Sequence, residues 1–408
     1  MCHVTLFIKE DRSLIKSLFR LSKGRIFSNM LNGLDRIALK MLMGDRAKYI
    51  AVVAGITFSV FLVVQMVSVF LGILRRTTAD IRTIGAEVWI ADPALKYMDD
   101  IQPLSNNALS RIRSISGVEW AVPLFIQNLR ARLPNGAFQS VRVIGLDSTS
   151  LAGRPARILE GRLESIYQAN AVLVNQRSIR KLNFVRPGDT FEVNDRQARV
   201  VGLVDVETSL FDLPILFTTF EKALQFTPPE RKQLTFILVK PKADAAIATL
   251  KADVRQQTGL LALTKDELSW MTIRYYLTQT GIGMNFGIIT LLGFIVGAAV
   301  TGQTFHMFAL ENLKQFAALK AMGVGKAGLV RIVVLQSAVV GIQGYGIGVG
   351  VASLVLKILL EALPNYAAYT PPQVLIGSFV MTVVICGIAA IAVLIRILRV
   401  DPAEVFRG

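Results

Sequence analysis

Apolar residues gather into four long runs, and the order of those runs restricts the fold more than any motif does. One run covers residues 49–74, a polar interval follows at 75–280, and three more runs lie at 281–308, 329–360 and 374–398. A bilayer core of ~30 Å takes roughly 20 apolar residues in a helix, and each run is long enough. The expected fold is an α-helical membrane bundle of four transmembrane helices, one plus three, with a large extracytoplasmic α+β domain after the first. A chain that is 52% hydrophobic and 18% charged fits that layout and not a soluble globule.

Charge and rare residues narrow the function. The net charge is +16, but the basic residues are spread along the chain and form no patch interleaved with aromatics, so nucleic acid is not an expected partner. Membrane lipids are. The two cysteines, Cys2 and Cys386, lie outside the interval 75–280, so no disulfide framework is expected there. The histidines, His3 and His306, are also outside it, which rules out a Ser-His-Asp triad or a histidine zinc site in the large domain. Adjacent carboxylates occur at Asp99-Asp100 and Asp266-Glu267, and such pairs usually mark a solvated turn or helix end. No Gly-x-x-x-x-Gly-Lys-Ser/Thr loop is present, so the chain is not expected to hydrolyse nucleotide itself. No enzyme activity, metal or cofactor is expected.

Topology follows from lysine and arginine near the runs. Arg25, Arg36, Lys40, Arg46 and Lys48 precede the first; Lys314, Lys320, Lys326 and Arg331 follow the second; Arg396, Arg399 and Arg407 surround the end of the fourth. The short loop at 361–373 has almost no positive charge. Both termini and the loop at 309–328 are therefore placed in the cytoplasm, with the large domain and the 361–373 loop outside. Arg75, Arg76 and Arg82 run against the bias, but long domains translocate largely regardless of charge.

Residues 1–32 form a basic extension without the cleavage site of a signal peptide. In 33–48, Leu34, Ile37, Ala38, Met41 and Leu42 recur at helical spacing, giving an amphipathic juxtamembrane helix that serves as an interfacial anchor or as a lever beneath the bundle. Within 75–280, strands are expected at 87–91, 118–125, 139–144, 171–174, 190–193, 198–204 and 236–239. Pro187-Gly188-Asp189 and the Asn194-Asp195 tip frame a hairpin. A helix at 243–258 should bury Ala243, Ile247, Leu250 and Val254, and the size of the domain suggests two lobes.

The spans carry glycines four apart, Gly293 with Gly297 and Gly346 with Gly350, which allow close helix packing within a subunit or across a homodimer seam. Gln65, Gln336 and Gln343 are the most polar interior residues, and no ionisable side chain sits mid-span, which argues against an ion-coupled carrier. In the loop at 309–328, Leu313, Phe316, Ala317 and Lys320 share one helical face, and Gly323 is placed to end the helix.

The stretch from Glu311 through Leu313, Lys314, Phe316, Leu319, Lys320 and Met322 to Gly323 resembles the coupling segment of the FtsX-like, or MacB-type, permeases of ABC transporters. Ala38-Leu39-Lys40 with Asp45-Arg46-Ala47-Lys48 resembles the family's opening, and Asp401-Pro402-Ala403-Glu404-Val405-Phe406, in the cytoplasmic tail 399–408, resembles its ending. Together with Thr290–Gly297, that ending is most similar to the DevC branch of cyanobacterial glycolipid-type exporters. The resemblance covers residues 33–408 and implies a MacB-like periplasmic core, an inner-membrane location and a homodimer. It also implies a separate ABC ATPase that binds the ATP, contacts Glu311, Leu313, Phe316, Leu319 and Met322, and has Lys314 and Lys320 at the rim. By the same resemblance, ATP-driven motion of these helices would move the outer domain to export a lipid, peptide or small amphiphile. A HlyD-like membrane-fusion adaptor and a TolC-like outer-membrane channel would then be partners. Release of lipoproteins or control of cell-wall hydrolases is an alternative within the same fold, and a transmembrane receptor is one of another class.

Overall fold

The computed structural model describes residues 33–399, apart from 106, 229–232 and 364–365. The basic extension at 1–32 and the Asp-Pro-Ala-Glu-Val-Phe tail lie outside the described residues. The chain divides into two compact units. One comprises the stretches up to Val67, Ile289–Leu356 and from Pro371 onward; the other comprises Ser68–Ile288 and Lys357–Thr370.

The first unit is helical. Helix α1 (Gly33–Gly44) is followed by α2 (Arg46–Thr77), and the chain returns at α8 (Ile282–Glu311), α9 (Leu313–Ala321), α10 (Lys326–Ala362) and α11 (Pro372–Arg399). Among the described residues, helices α2, α8, α10 and α11 are the four long and apolar enough to cross a membrane. Half of the apolar stretch of α2 is buried, against 6% of that of α8, so α2 is the central helix and α8 a peripheral one. Val52, Ile56, Val60 and Val64 follow one another at i+4 on α2 and are all buried, which makes that stripe the bundle's axis. At 32 residues, α2 is about 48 Å long, well beyond a ~30 Å hydrocarbon core.

The second unit is α+β. Its elements are α3 (Ala79–Ile84), β1 (Val88–Ala91), α4 (Ala108–Arg113), β2 (Val118–Arg132), β3 (Phe138–Leu146), β4 (Ile158–Gly161), β5 (Ala171–Asn175), β6 (Thr190–Val193), β7 (Arg196–Val204), β8 (Ile215–Thr219), α5 (Phe220–Gln225), β9 (Phe236–Pro241), α6 (Ile247–Thr258), β10 (Leu261–Thr264) and α7 (Lys265–Gln279). The strand order is β10-β1-β9-β2-β3-β8-β5-β7-β4, with β6 beside β2 and β7. The long β2 explains the impression of two lobes. Its first part, up to Leu124, pairs with β9, and from Phe125 on it pairs with β3. One strand thus serves two sheet regions in a single compact unit. The sheet is mixed, with β3·β8 and β5·β7 parallel.

Alternation along β1 shows how the sheet is covered on both faces. Val88 and Ile90 pack with Ile112 of α4 and Leu250 and Val254 of α6, whereas Trp89 and Ala91 pack with Leu268 of α7. The expected hairpin is β6–β7, and Asn194 and Asp195 both have positive φ, 45° and 61°, as a two-residue primed turn requires. Helix α6 is shorter than expected because its apolar face does not extend that far. Ala243 precedes the helix and Ile247 is exposed, leaving Leu250 and Val254 as its buried pair. Asp266 and Glu267 do mark a helix start, since Glu267 closes a capping box with Thr264 at the head of α7.

Candidate coupling site

The link between α8 and α10 is built for a fixed geometry. Asn312 separates α8 from α9, and its carbonyl accepts the backbone N–H groups of Gln315 (3.0 Å) and Phe316 (3.1 Å). At the other end, the Val324 N–H donates to the Leu319 carbonyl (3.0 Å) and the Gly323 N–H to the Lys320 carbonyl (3.1 Å). That pair of bonds, with Gly323 at φ 91°, is a Schellman closure, and Val324 and Leu319 both pack in the bundle core as the motif's hydrophobic contact. Gly323 therefore ends the helix as the sequence suggests.

The apolar face of α9 points inward. Phe316 is 2% exposed and Leu319 5%, and both lie in the core with Leu42 of α1, Phe305 and Phe308 of α8, Leu329 of α10 and Ile397 of α11. Burying a side chain of this size stabilises by about 1.5–3 kcal/mol. Phe316 and Leu319 are thus core residues and are not available as a contact surface, contrary to expectation. Leu313 is half-buried. Lys320 is also turned inward, donating from Nζ to the Leu398 carbonyl at 3.4 Å, where a cation suits the last turn of α11. Glu311 is half-exposed and forms a close ion pair with Lys48 at the start of α2. What remains outward is Lys314, Gln315 and Ala321 on α9 and Met322 with Gly323 after it, Met322 being 72% exposed.

Helix α1 belongs to the same assembly. Ala38 and Leu42 are fully buried in the bundle core. Arg331 of α10 grips Asp35 at two points, Nε to Oδ1 at 2.9 Å and Nη2 to Oδ2 at 2.8 Å. Gln336 Nε2 donates to the Ala38 carbonyl at 3.0 Å. The helix is therefore packed against the bundle and does more than float at an interface.

The glycines divide differently from their pattern. Gly297 is a contact point, because a Cβ there would fall 1.8 Å from Ser59 Oγ of α2, and Gly293 lies in ordinary range of Leu62. On α10 the packing pair is Gly344 and Gly348, against Ile56 and Val60; a Cβ at Gly346 or Gly350 would meet nothing within 4 Å. The glycines recur every second residue from 344 to 350, so two stripes with i+4 spacing lie on opposite sides of α10, and the expected pair is the open one.

In the α+β unit, a buried charge cluster escaped the sequence reading. Arg142 of β3, 1% exposed, pairs closely with Asp80 of α3 and lies 2.6 Å from Asp99, while its Nε donates to Asn128 Oδ1 at 3.0 Å. Tyr276 of α7 donates its hydroxyl to Asp99 Oδ2 at 3.2 Å. Burial would push the guanidinium pKa down, but the two carboxylates outweigh it and hold Arg142 above its ordinary value. Burial, with Asp99 beside it, raises the Tyr276 phenol. Asp99, expected in a solvated turn, is instead a partner of the buried arginine with its side chain 9% exposed; Asp100 keeps the turn role, accepting the Lys96 N–H at 3.0 Å. The available signal was an arginine amid the apolar run Val141–Leu146, whose neighbours Val141 and Val143 are fully buried. Among the described residues, no group of three or more His, Cys, Asp or Glu side chains could hold a metal ion.

The chain is similar to known proteins along most of its length. The MacB-like periplasmic core domain model matches residues 50–257, and the FtsX-like permease C-terminal model matches 287–402. An ABC transporter permease of Mycobacterium tuberculosis H37Rv is 26% identical over 362 residues, covering 87% of this chain and 93% of the relative. The macrolide export ATP-binding/permease protein MacB 1 of Escherichia coli is 22% identical over 387 residues, 88% of this chain and 58% of that protein. Among solved structures, the periplasmic region of MacB from Actinobacillus actinomycetemcomitans aligns with a TM-score of 0.37 at 19% identity, covering 47% of this chain and 94% of that one.

Proposed function

Because this chain belongs to the family of ABC transporter permeases that joins a MacB-like periplasmic core domain to an FtsX-like C-terminal half, we propose that α9 and the turn after it receive the motion of a separate ATPase. The observation that carries this reading is the contrast across α9. Its inner face is locked into the bundle by Phe316 and Leu319, and its outer side presents Met322 between Lys314 and Lys326. A large apolar side chain exposed beside cations is the composition of a contact centre with a polar rim. A push on Met322 would reach α8 and α10, because the Asn312 junction and the Schellman closure are both short and hydrogen-bonded.

The chain acts in this reading as a non-catalytic membrane subunit of the inner membrane, with ATP bound by its partner and both termini in the cytoplasm. Two copies would pair in the membrane. The α+β domain would stand outside and work on a lipid, peptide or small amphiphile destined for export, together with a HlyD-like adaptor and a TolC-like channel, in the manner of the DevC branch. The E. coli relative's name, a macrolide export protein, supports export over lipoprotein release. Membrane fractions carrying Met322→Asp should bind the cognate ATPase about tenfold or more less tightly than wild type, the loss expected when a contact centre is removed. Unchanged binding with the fold intact would reject α9 as the docking element.

A further inference from the structure

Arg75 and Arg82 stand on the side of the first span where positive charge is disfavoured, and the α+β unit gives them a reason to be there. They sit beside an open groove of about 500 Å³. Its walls are apolar: Leu71 and Leu74 from the outer turns of α2, and Trp270 and Leu277 from α7. Trp270 is 62% exposed, which is unusual for the largest side chain unless something covers it. The two guanidinium groups share one carboxylate. Arg75 Nη2 lies 2.5 Å from Glu207 Oε1, and Arg82 pairs closely with Oε2. Two cations on one anion leave a net positive charge at the groove, and Arg75 is held in place by stacking over Tyr369 at 4.5 Å from the ring centre.

We propose that this groove binds an anionic phospholipid from the leaflet that faces the α+β domain. Its phosphate would lie against Arg75 and Arg82, and the upper part of its acyl chains along Leu71, Leu74 and Leu277, with Trp270 as a wall. Charge complementarity selects the occupant. A zwitterionic lipid returns a cation to a site that already has a surplus, and a free phosphate uses none of the apolar wall. The apolar run of α2 ends at Leu74, so the groove opens at the depth where headgroups meet hydrocarbon. The proposal rests on the membrane placement of the permease but on no ATPase and no transported molecule. A failure of Met322 in coupling leaves it standing, and its own failure leaves coupling untouched.

The test reads Trp270 fluorescence in nanodiscs containing chain-brominated phosphatidylglycerol or chain-brominated phosphatidylcholine, with Trp270→Phe to subtract Trp89 and Trp120. Quenching by the glycerol lipid should be half-maximal at about fivefold lower mole fraction for each arginine engaged, and this preference should fade at high salt. Arg75→Gln with Arg82→Gln should abolish the preference. Glu207→Gln, which frees both arginines without deleting either, should strengthen it and serves if the double variant does not fold. Equal quenching by the two lipids would make Trp270 an ordinary interfacial aromatic and overturn the proposal, as would a preference that Glu207→Gln leaves unchanged.

Discussion

Arg331 and Asp35 meet through two parallel hydrogen bonds, 2.9 and 2.8 Å, that fasten the helix before the first span to the start of α10. Asp35 is buried, whereas half of Arg331 is exposed. Removing the arginine takes the two-point cation from a carboxylate that is 7% exposed; removing the carboxylate leaves a cation that can turn to solvent. Arg331→Gln should therefore destabilise the protein by about 1–3 kcal/mol and Asp35→Asn by less. Thermal unfolding followed in detergent checks the order, and equal effects would contradict the asymmetry argued from burial.

Phe316 and Met322 should separate stability from coupling. Phe316→Ala opens a cavity in the bundle core and should cost about 3–5 kcal/mol. Met322→Ala removes a side chain that touches little of the chain itself and should change stability by no more than about 0.5 kcal/mol. Stimulation of the ATPase in proteoliposomes should fall in Met322→Ala at full protein yield. Should the alanine at 322 unfold the protein, the assignment of an outward Met322 is wrong.

The glycines give a third pair of outcomes. A side chain at Gly323 meets no neighbour, yet φ of 91° strains any L-residue, so Gly323→Ala should cost about 1–2 kcal/mol. Gly72→Val should be worse, because a Cβ there would lie 2.5 Å from the Ala368 backbone nitrogen, with no flexible side chain to yield. Proteolysis at residues 366–371, which Tyr369 otherwise ties to Ser68 through a 2.9 Å backbone bond, should accelerate in that variant.

On α10, Gly346→Leu and Gly350→Leu should leave the monomer's unfolding unchanged, since both positions are open. Gly348→Leu should not, because Val60 fills that space. If two copies pair through the open stripe, disulfide cross-linking between cysteines placed there will disappear in the leucine variants. Cross-linking that persists would move the seam elsewhere.

Glu207 makes stability depend on acid. Burial pushes its carboxyl up, but the hydrogen bonds from Arg75 and Arg82 prevail and hold it below its ordinary value. A carboxylate held low contributes stability that is fully present above its unfolded pKa of ~4.3 and is lost as pH falls through the lower folded value. The stability difference between wild type and Glu207→Gln should thus be largest near neutrality, shrink once pH falls past the unfolded value and vanish below the folded one. A difference that grows on acidification would contradict the ion-pair account.

Much of the fold could be read from periodicity, because burial in lipid and in a sheet both leave plain patterns. The four spans, the β6–β7 hairpin and the short helix ending at Gly323 are of this kind. Periodicity was silent on which partner an apolar face meets. The face of α9 with Phe316 was assigned to an ATPase when its neighbours are Leu42, Phe308 and Ile397, residues far away in sequence. The alternate glycines of α10 fit two stripes equally well, and only the position of Ile56 and Val60 decides between them. Asp99 looked like a turn residue because nothing near it in sequence announces Arg142, which reaches it from another strand.

The most direct test of the account is gentle affinity purification from native membranes, with wild type and Met322→Asp handled side by side. An ABC ATPase should accompany the wild-type chain and be depleted with the variant, and a periplasmic adaptor recovered with both would add the export assignment. An ATPase recovered equally with both, or with neither under conditions that preserve such complexes, would contradict coupling through α9.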